Sequence, residues 1–194
     1  MSTATHQDAL PLDALVIGEA ASLAPMEFRA PAGGPPRYAV IGSPIGDMLL
    51  TGDGESLTGL FMLDGRGPDP VIGADWTLDV GALAAPVEQL RAYFAGELRE
   101  FDVPLAPSGT PFQLDVWRAL TTIPYGRTTS YGRIAAALGR SPGASRAVGL
   151  ANGRNPISVI IPCHRVIGSD GSLIGYGGGL PRKAHLLAME RAGR

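Results

Sequence analysis

The chain has 194 residues, 45% of them apolar and 18% charged, with one cysteine, three histidines and a net charge of −2. That is enough apolar material for one domain or two small ones, and too little cysteine for a disulfide framework or a multi-cysteine zinc site. No charged leader with an apolar core opens the chain and no apolar run reaches 18 residues, so a soluble, cytoplasmic protein off the membrane is expected. His6, His164 and His185 are far apart, and neither a metal site nor a cofactor is expected.

The total charge does not point to nucleic acid, but its distribution does. Residues 1–125 carry 6 Lys+Arg and 16 Asp+Glu, a balance of −10, whereas residues 126–194 carry 10 Lys+Arg and 2 Asp+Glu, a balance of +8. Such asymmetry is the footprint of an anionic partner for one half only. Nine of the ten cations in that half are arginines, which suit phosphate forks and stacking.

Residues 1–35 are rich in Ala and Pro with little periodicity, and read as a disordered or loosely packed leader. From there, Tyr38-Ala39-Val40-Ile41, Asp47 to Thr51 and Leu57 to Leu63 are three short strands separated by Gly/Ser/Pro and Gly/Asp turns, a small antiparallel meander. Residues 64–79 form a loop. Leu83, Val87, Leu90 and Phe94 then recur at helical spacing, so 80–96 is an amphipathic helix. Pro104 to Gly109 is a linker. The expected division is a leader over 1–35, an N-terminal domain over 36–106 and a C-terminal domain over 107–194.

The second half is clearly punctuated. Thr110-Pro111-Phe112-Gln113 is a helix start with Thr as N-cap, Pro at the first position and Gln closing a capping box. Phe112, Val116 and Leu120 line one face, and Trp117 belongs to the core. Ser130 caps a helix from Tyr131 to Leu138 that Gly139 ends. Ser141 caps another that starts at Pro142 and runs to about Asn152. Two short helices joined by a tight turn make a helix-turn-helix candidate. The second carries one arginine, Arg146, among very small side chains. A helix reading the major groove would carry long polar side chains, whereas a smooth one lies close inside the minor groove with the arginine as a wedge.

Ile157-Ser158-Val159-Ile160-Ile161 reads as a short strand buried on both faces, ended by Pro162. The only cysteine, Cys163, follows. Its bland alternative is a small buried hydrophobe. His164 and Arg165 beside it favour a thiolate, and lowering a thiol pKa of ~8.5 by ~2 units would leave it mostly ionised near neutrality. Neighbours on a strand point to opposite faces, so Cys163 and His164 form a dyad only if Pro162 bends the chain or a water bridges them. A hairpin-type turn is expected at Gly168-Ser169-Asp170-Gly171. Gly175-Tyr176-Gly177-Gly178-Gly179 allows a ligand to approach the backbone closely, and Tyr176 suits a planar one. It matches neither a phosphate loop nor a dinucleotide fingerprint. Pro181 begins a last helix, on which Glu190 is either a solvated acid or a buried carboxylate orienting His164.

A thiol, a glycine-walled pocket, a basic half and a smooth helix with one arginine fit a protein that acts on a base taken out of the DNA stack. Arg146 would fill the vacated space. A cysteine hydrolase, or a DNA-binding regulator without chemistry, would each explain only part of this pattern.

Pro162-Cys163-His164-Arg165-Val166, together with Ser130-Tyr131-Gly132, Arg146-Ala147-Val148-Gly149, Ala151-Asn152-Gly153-Arg154-Asn155-Pro156 and Gly175-Tyr176-Gly177-Gly178, resembles the O6-alkylguanine-DNA alkyltransferase family, densely over 108–193. The resemblance implies an α+β fold. Its N-terminal α/β domain would be ribonuclease-H-like in outline with a small antiparallel sheet, and its C-terminal domain mainly helical with a winged-helix-like helix-turn-helix. It implies one-time transfer of the alkyl group from O6 of a flipped guanine to Cys163, as a methylated-DNA–protein-cysteine methyltransferase, and leaves O4-alkylthymine open. The sulfur is expected to sit ionised in a cavity sized for one purine. His164 would act as base through a water, Glu190 would orient it, and Tyr131 would help rotate the target and donate a proton. Arg146, with Ser130, Ala147, Gly149, Ala151 and Asn152, would meet the DNA. Tyr176, Gly177, Gly178, Val166 and Asn155 would form or brace the base pocket, with Lys183 near the alkyl group. The implied partner is double-stranded DNA, held mainly through the minor groove by a monomer, with cooperativity on DNA open. Some relatives bind zinc through cysteines that are absent here, and some carry serine where this chain has Gly177, which implies room for alkyl groups larger than methyl.

Overall fold

The computed structural model describes residues 23–63 and 72–193. The three expected strands are present: β1 (Arg37–Ile41), β2 (Met48–Gly52) and β3 (Leu57–Met62). Each pair is antiparallel, with Ala39 opposite Leu50 and Leu49 opposite Phe61. β2 is central and buried throughout, while β1 turns Ala39 and Ile41 inward and Val40 out, as a half-covered strand must. A fourth strand, β4 (Thr77–Leu78), lies inside the stretch read as loop and pairs parallel to β1, so the sheet is mixed rather than antiparallel, in the order β3-β2-β1-β4. Two exposed residues give no periodicity to read; backbone pairing alone makes this strand. Part of that loop, 64–71, lies outside the described residues.

The edge of β3 is covered from two directions. Leu57 donates to Pro104 O and accepts from Ala106, while Leu60 donates to Pro156 O and accepts from Ser158. The linker and the stretch leading to Cys163 therefore finish the sheet and satisfy its open edge. Helix α1 (Ala84–Phe94) buries Val87, Leu90 and Tyr93. The described part of the leader is tied down rather than loose: Met26 N donates to Thr121 Oγ1, Arg29 N donates to Leu105 O, and the Phe28 ring lies under Arg118. Residues 1–22 lie outside the description.

Helix α2 (Pro111–Thr121) starts at the expected capping box, with Thr110 Oγ1 accepting from Gln113 N and Gln113 Oε1 accepting from Thr110 N. Val116, Trp117 and Leu120 are buried, and Trp117 Nε1 donates to Ala151 O, which ties α2 to α4. Ser130 caps α3 (Tyr131–Ala137), accepting from Arg133 N, and Gly139 ends it at φ +65°. The expected helix from Pro142 is instead a 3-10 turn over Pro142–Ala144 followed by α4 (Ser145–Gly153). β5 (Thr129–Ser130) and β6 (Val166–Ile167) pair in parallel, and α5 (Leu180–Ala192) closes the fold. The turn at Gly168–Gly171 forms, with Gly171 N donating to Gly168 O, but no second hairpin strand follows it. No helix of the described residues is long and apolar enough to cross a membrane.

Candidate active site

Ile157–Ile161 is not a strand. Only Ile157 bridges to β3. Val159 then takes φ +71°, and Ile160 N donates to Ser158 O at 2.9 Å, a positive-φ γ-turn. Pro162, at φ −81° and ψ 61°, makes an inverse γ-turn in which Cys163 N donates to Ile161 O at 2.8 Å. A β-branched residue at positive φ is strained, on the order of 1–3 kcal/mol, and persists only where its surroundings hold it. Asn155 supplies that hold from outside the turn: its Nδ2 donates to Ile161 O and its Oδ1 accepts from Ile157 N. The local pattern of branched apolar residues still buries them; tertiary hydrogen bonds decide the backbone.

Cys163–Arg165 forms a 3-10 turn, so these three consecutive side chains leave the axis in three directions. Arg165 therefore points away from the sulfur. Its Nη2 donates to Glu190 Oε1 at 2.9 Å, its Nε lies 3.1 Å from Oε2, and its Nη1 donates to Ile123 O. The expectation that Arg165 activates the thiol fails for that reason. The expected ionised state of the sulfur is not favoured either. Cys163 is only 4% exposed. Burial pushes its pKa up, against the smaller opposing pulls of Asn155, Lys183 and Ser158. At rest the group is a neutral, sheltered thiol.

Glu190 is the centre of the polar network. His164 Nε2 lies 2.8 Å from its Oε1, Tyr93 donates to Oε1 at 2.6 Å and Gly126 N donates to Oε2 at 3.0 Å. The side chains of Glu190 and His164 have no exposed surface. Burial alone would raise the Glu190 carboxyl, but the hydrogen bond from His164 and the charge and hydrogen bonds of Arg165 outweigh it and hold it well below the usual carboxylate range. Burial in turn pulls His164 down, against the opposing effect of Glu190, so the imidazole is neutral. A carboxylate only accepts, so Nε2 carries the ring proton and Nδ1 is left as an acceptor. Nδ1 is buried and meets no hydrogen-bond partner among the described residues. The orienting role expected of Glu190 thus has its geometry, and the solvated alternative is excluded.

Lys183 is fully buried and donates to Val166 O and Ile174 O. Burial lowers its pKa to about 8, with Cys163 pulling the other way. The Tyr131 hydroxyl donates to Ile174 O at 3.1 Å, and burial, then Cys163, push its pKa to about 12. Gly175 takes φ +59° and packs so closely under Tyr131 that a Cβ there would come within 2.8 Å of the hydroxyl. The Tyr176 hydroxyl faces Met62 Sδ, and a Cβ on Gly178 would meet the same sulfur at 2.2 Å. Gly177 is open by comparison, its nearest neighbour being Gly153 O at 3.8 Å. Tyr131, Tyr176 and Lys183 all feel the charge state of Cys163, so the expected proton donor and two of the expected pocket residues lie near one sulfur. Val166 is buried in β6 and offers its carbonyl to Lys183.

On α4, Arg146 and Ala147 are exposed, Gly149 is half-buried against Tyr131, and Ser130 is half-buried at the N-cap of α3. Ala151 and Asn152 do not face outward as the expected DNA-contact set required. Both are buried, and Asn152 Nδ2 faces Cys163 O at 3.5 Å, because this turn of α4 packs on α2 and the cysteine turn. Leu150, one helical turn from Arg146, is 63% exposed and was not singled out by pattern. Nor were Tyr93 and Met62, which reach the site from the other half of the chain. Tyr93 sits in the α1 apolar stripe, and a buried phenol there demands a partner, the one cue that was available. Among the described residues, no three His, Cys, Asp or Glu side chains are grouped to hold a metal ion.

Two family domains match the chain: the ribonuclease-like domain of 6-O-methylguanine DNA methyltransferase over residues 37–107 and its DNA binding domain over 111–192. A methylated-DNA–protein-cysteine methyltransferase of Mycobacterium bovis is 57% identical over 155 residues, covering 80% of this chain and 92% of the relative. The crystal structure of the Mycobacterium tuberculosis O6-methylguanine methyltransferase superposes with a TM-score of 0.76 at 55% identity, covering 82% of this chain and 94% of that one. A structure of Mycobacterium tuberculosis OGT in complex with DNA gives 0.74 at 55% identity, over 81% and 94%. With both domains matched in order, the chain belongs to the 6-O-methylguanine DNA methyltransferase family.

Proposed function

We propose that this chain repairs alkylated DNA by moving the alkyl group from O6 of guanine, with O4 of thymine as a second target, onto Cys163, once per molecule. What carries the proposal is the Glu190–His164 pair beside the only cysteine, which fixes a neutral imidazole with Nδ1 as acceptor. As the reaction starts, the thiol proton passes to His164 through a water. The thiolate attacks the alkyl carbon, a C–S bond forms and the C–O6 bond breaks with its electron pair going to the base. Tyr131, a protonated phenol at neutral pH because burial pushes its pKa to about 12, passes a proton to the departing guanine and is reprotonated through solvent by the His164 imidazolium, so that the thiol proton ends in effect on the base. The thioether has no route back to a thiol, so the protein is consumed.

The burial of Cys163 requires the pocket to open before a purine can reach the sulfur. The lesion arrives from double-stranded DNA held by a cytoplasmic monomer through the minor groove, with Arg146 filling the space left by the flipped base. The exposure of Arg146 and Ala147 on a smooth helix in the basic half supports this placement. Residues 36–106 and 107–194 are the two domains in this scheme.

Intact-protein mass spectrometry after incubation with O6-methylguanine duplex tests it. The expected result is a single gain of one CH2 unit, mapped to Cys163, and none in Cys163→Ser, which still binds the lesion. Repeated turnover, or a modified site elsewhere, refutes it.

A further inference from the structure

The N-terminal half of the chain reaches the reacting centre through one hydroxyl. Tyr93 on α1 is fully buried, and its hydroxyl donates to Glu190 Oε1 at 2.6 Å, the oxygen that also holds His164 Nε2 at 2.8 Å. We infer that Tyr93 is a positioning residue for alkyl transfer: by sharing Oε1 with His164, it sets how tightly Glu190 grips the imidazole and how readily Nδ1 takes the thiol proton. The inference rests on the proposed role of His164 as proton acceptor.

The argument is one of competition for charge. Oε1 also accepts from Arg165 Nη2 at 2.9 Å and faces Arg165 Nε at 3.2 Å. Each donor draws electron density from the same atom, so each weakens the bond made by the others. With the Tyr93 hydroxyl gone, the carboxylate presents more negative charge to His164. The imidazolium is then stabilised and Nδ1 becomes more basic. The ring of Tyr93 does not need its hydroxyl to stay in place. It packs against Phe94 at 5.3 Å, Phe101 at 5.2 Å and Tyr125 at 6.0 Å, contacts a phenylalanine keeps. Nor would the loss strand Glu190, which retains His164, Arg165 and Gly126 as donors.

Cys163 and Arg165 flank His164 on its own turn, Glu190 and Lys183 face it from α5, Tyr93 and Tyr125 stand behind Glu190, and Tyr176 lies near both Glu190 and Cys163. Burial, and then Glu190, keep the Tyr93 phenol protonated far above neutral pH, so it acts as a fixed donor.

The test is Tyr93→Phe in the full chain, with folding checked by near-ultraviolet circular dichroism. Two quantities are read. In the unreacted protein without DNA, the His164 Nε2–H proton resonance should move downfield as its bond to Oε1 tightens. In transfer from free O6-benzylguanine, the acid limb of the rate profile should move to higher pH by about one unit, tenfold in proton binding. Replacement of Tyr93 by 3-fluorotyrosine, a stronger donor of the same shape, should move both the other way. A folded Tyr93→Phe protein with both quantities unchanged overturns the inference and leaves Tyr93 a packing residue. If no transfer occurs from any substrate, the proposed function fails, yet the resonance still decides the competition at Oε1.

Discussion

Glu190→Gln is the most informative single change, because the structure specifies what it breaks. Two carboxylate oxygens receive donors from Tyr93, His164, Arg165 and Gly126. Glutamine keeps one acceptor and replaces the other with an NH2 group. In either orientation that group faces donors: Gly126 N–H and Arg165 Nε–H on one side, Tyr93, His164 and Arg165 Nη2 on the other. Arg165, 5% exposed against a fully buried partner, is left a buried cation without its anion. Removing one member of such a pair costs about 3–5 kcal/mol. At about 2–4 °C per kcal/mol for a chain of this size, Tm should fall by about 6–20 °C. Transfer should slow by about 10²–10⁴, since His164 loses the contact that fixes its tautomer. Because the Glu190 pKa is depressed in the folded state, its stabilisation is complete above the ordinary carboxylate value of 4.5 and fades as pH falls toward the lower folded value. The gap in stability between parent and variant should therefore narrow only in acid. Differential scanning calorimetry from pH 7 down to about 3 measures it. A Tm within about 2 °C of the parent at neutral pH would refute the ion pair as the organising contact. If the variant is too unstable to isolate, Arg165→Met/Glu190→Gln should be isolable, because it removes the stranded cation together with its anion.

Lys183 is buried with its pKa lowered from 10.5 to about 8, so between those values the unfolded chain holds a proton that the folded one has released. Parent stability should rise relative to Lys183→Met by about 1.4 kcal/mol per pH unit in that window, read by urea unfolding; a flat difference contradicts the burial assigned here. Gly175→Ala should cost about 1–2 kcal/mol for its positive φ and displace Tyr131 as well. Gly96→Ala, at φ +78° with nothing within 4 Å, is the control, losing similar stability with no loss of transfer. Arg146→Ala should slow repair in duplex about 5–30-fold, the worth of about 1–2 kcal/mol, and leave transfer from free benzylguanine unchanged; equal losses on both rule out the wedge. Gly177→Ser should cut benzyl transfer more than methyl transfer, and an unchanged ratio of the two rates removes the idea that this position sets lesion size.

What could be read from sequence was what neighbouring residues decide among themselves. The capping box at Thr110–Gln113 is one side chain answering a backbone three residues away. The alternation of Ala39, Val40 and Ile41 is a strand choosing its buried face. The cysteine stretch stood out because it lies in the same half as the basic excess, the smooth helix with Arg146 and the glycine-rich segment, adjacency to His164 and Arg165 being weak evidence by itself. What misled was the same locality. Ile157 to Ile161 has every branched side chain of a buried strand and buries them, but the backbone is shaped by Asn155 on one side and the β3 edge at Leu60 on the other. Arg165 was assigned to the sulfur because it is adjacent in sequence, while a 3-10 turn sends it to a carboxylate 25 residues away.

The largest omission, Tyr93, shows why the acidic first half belongs to the chemistry of the basic second half. The turn that carries Cys163 borrows two backbone hydrogen bonds from β3 at Leu60, and the carboxylate that orients His164 borrows its shortest hydrogen bond from α1. Leu60 donates one of those backbone bonds and accepts the other, and both it and Tyr93 lie outside residues 107–194. A strained Val159 has to be held by its surroundings, and a loose β3 edge would free the very segment whose γ-turns aim the sulfur. The first half therefore does more than bury apolar surface beside a DNA-binding domain: its sheet edge holds the backbone that leads to a neutral, sheltered thiol, and its α1 phenol shares the carboxylate oxygen that holds His164.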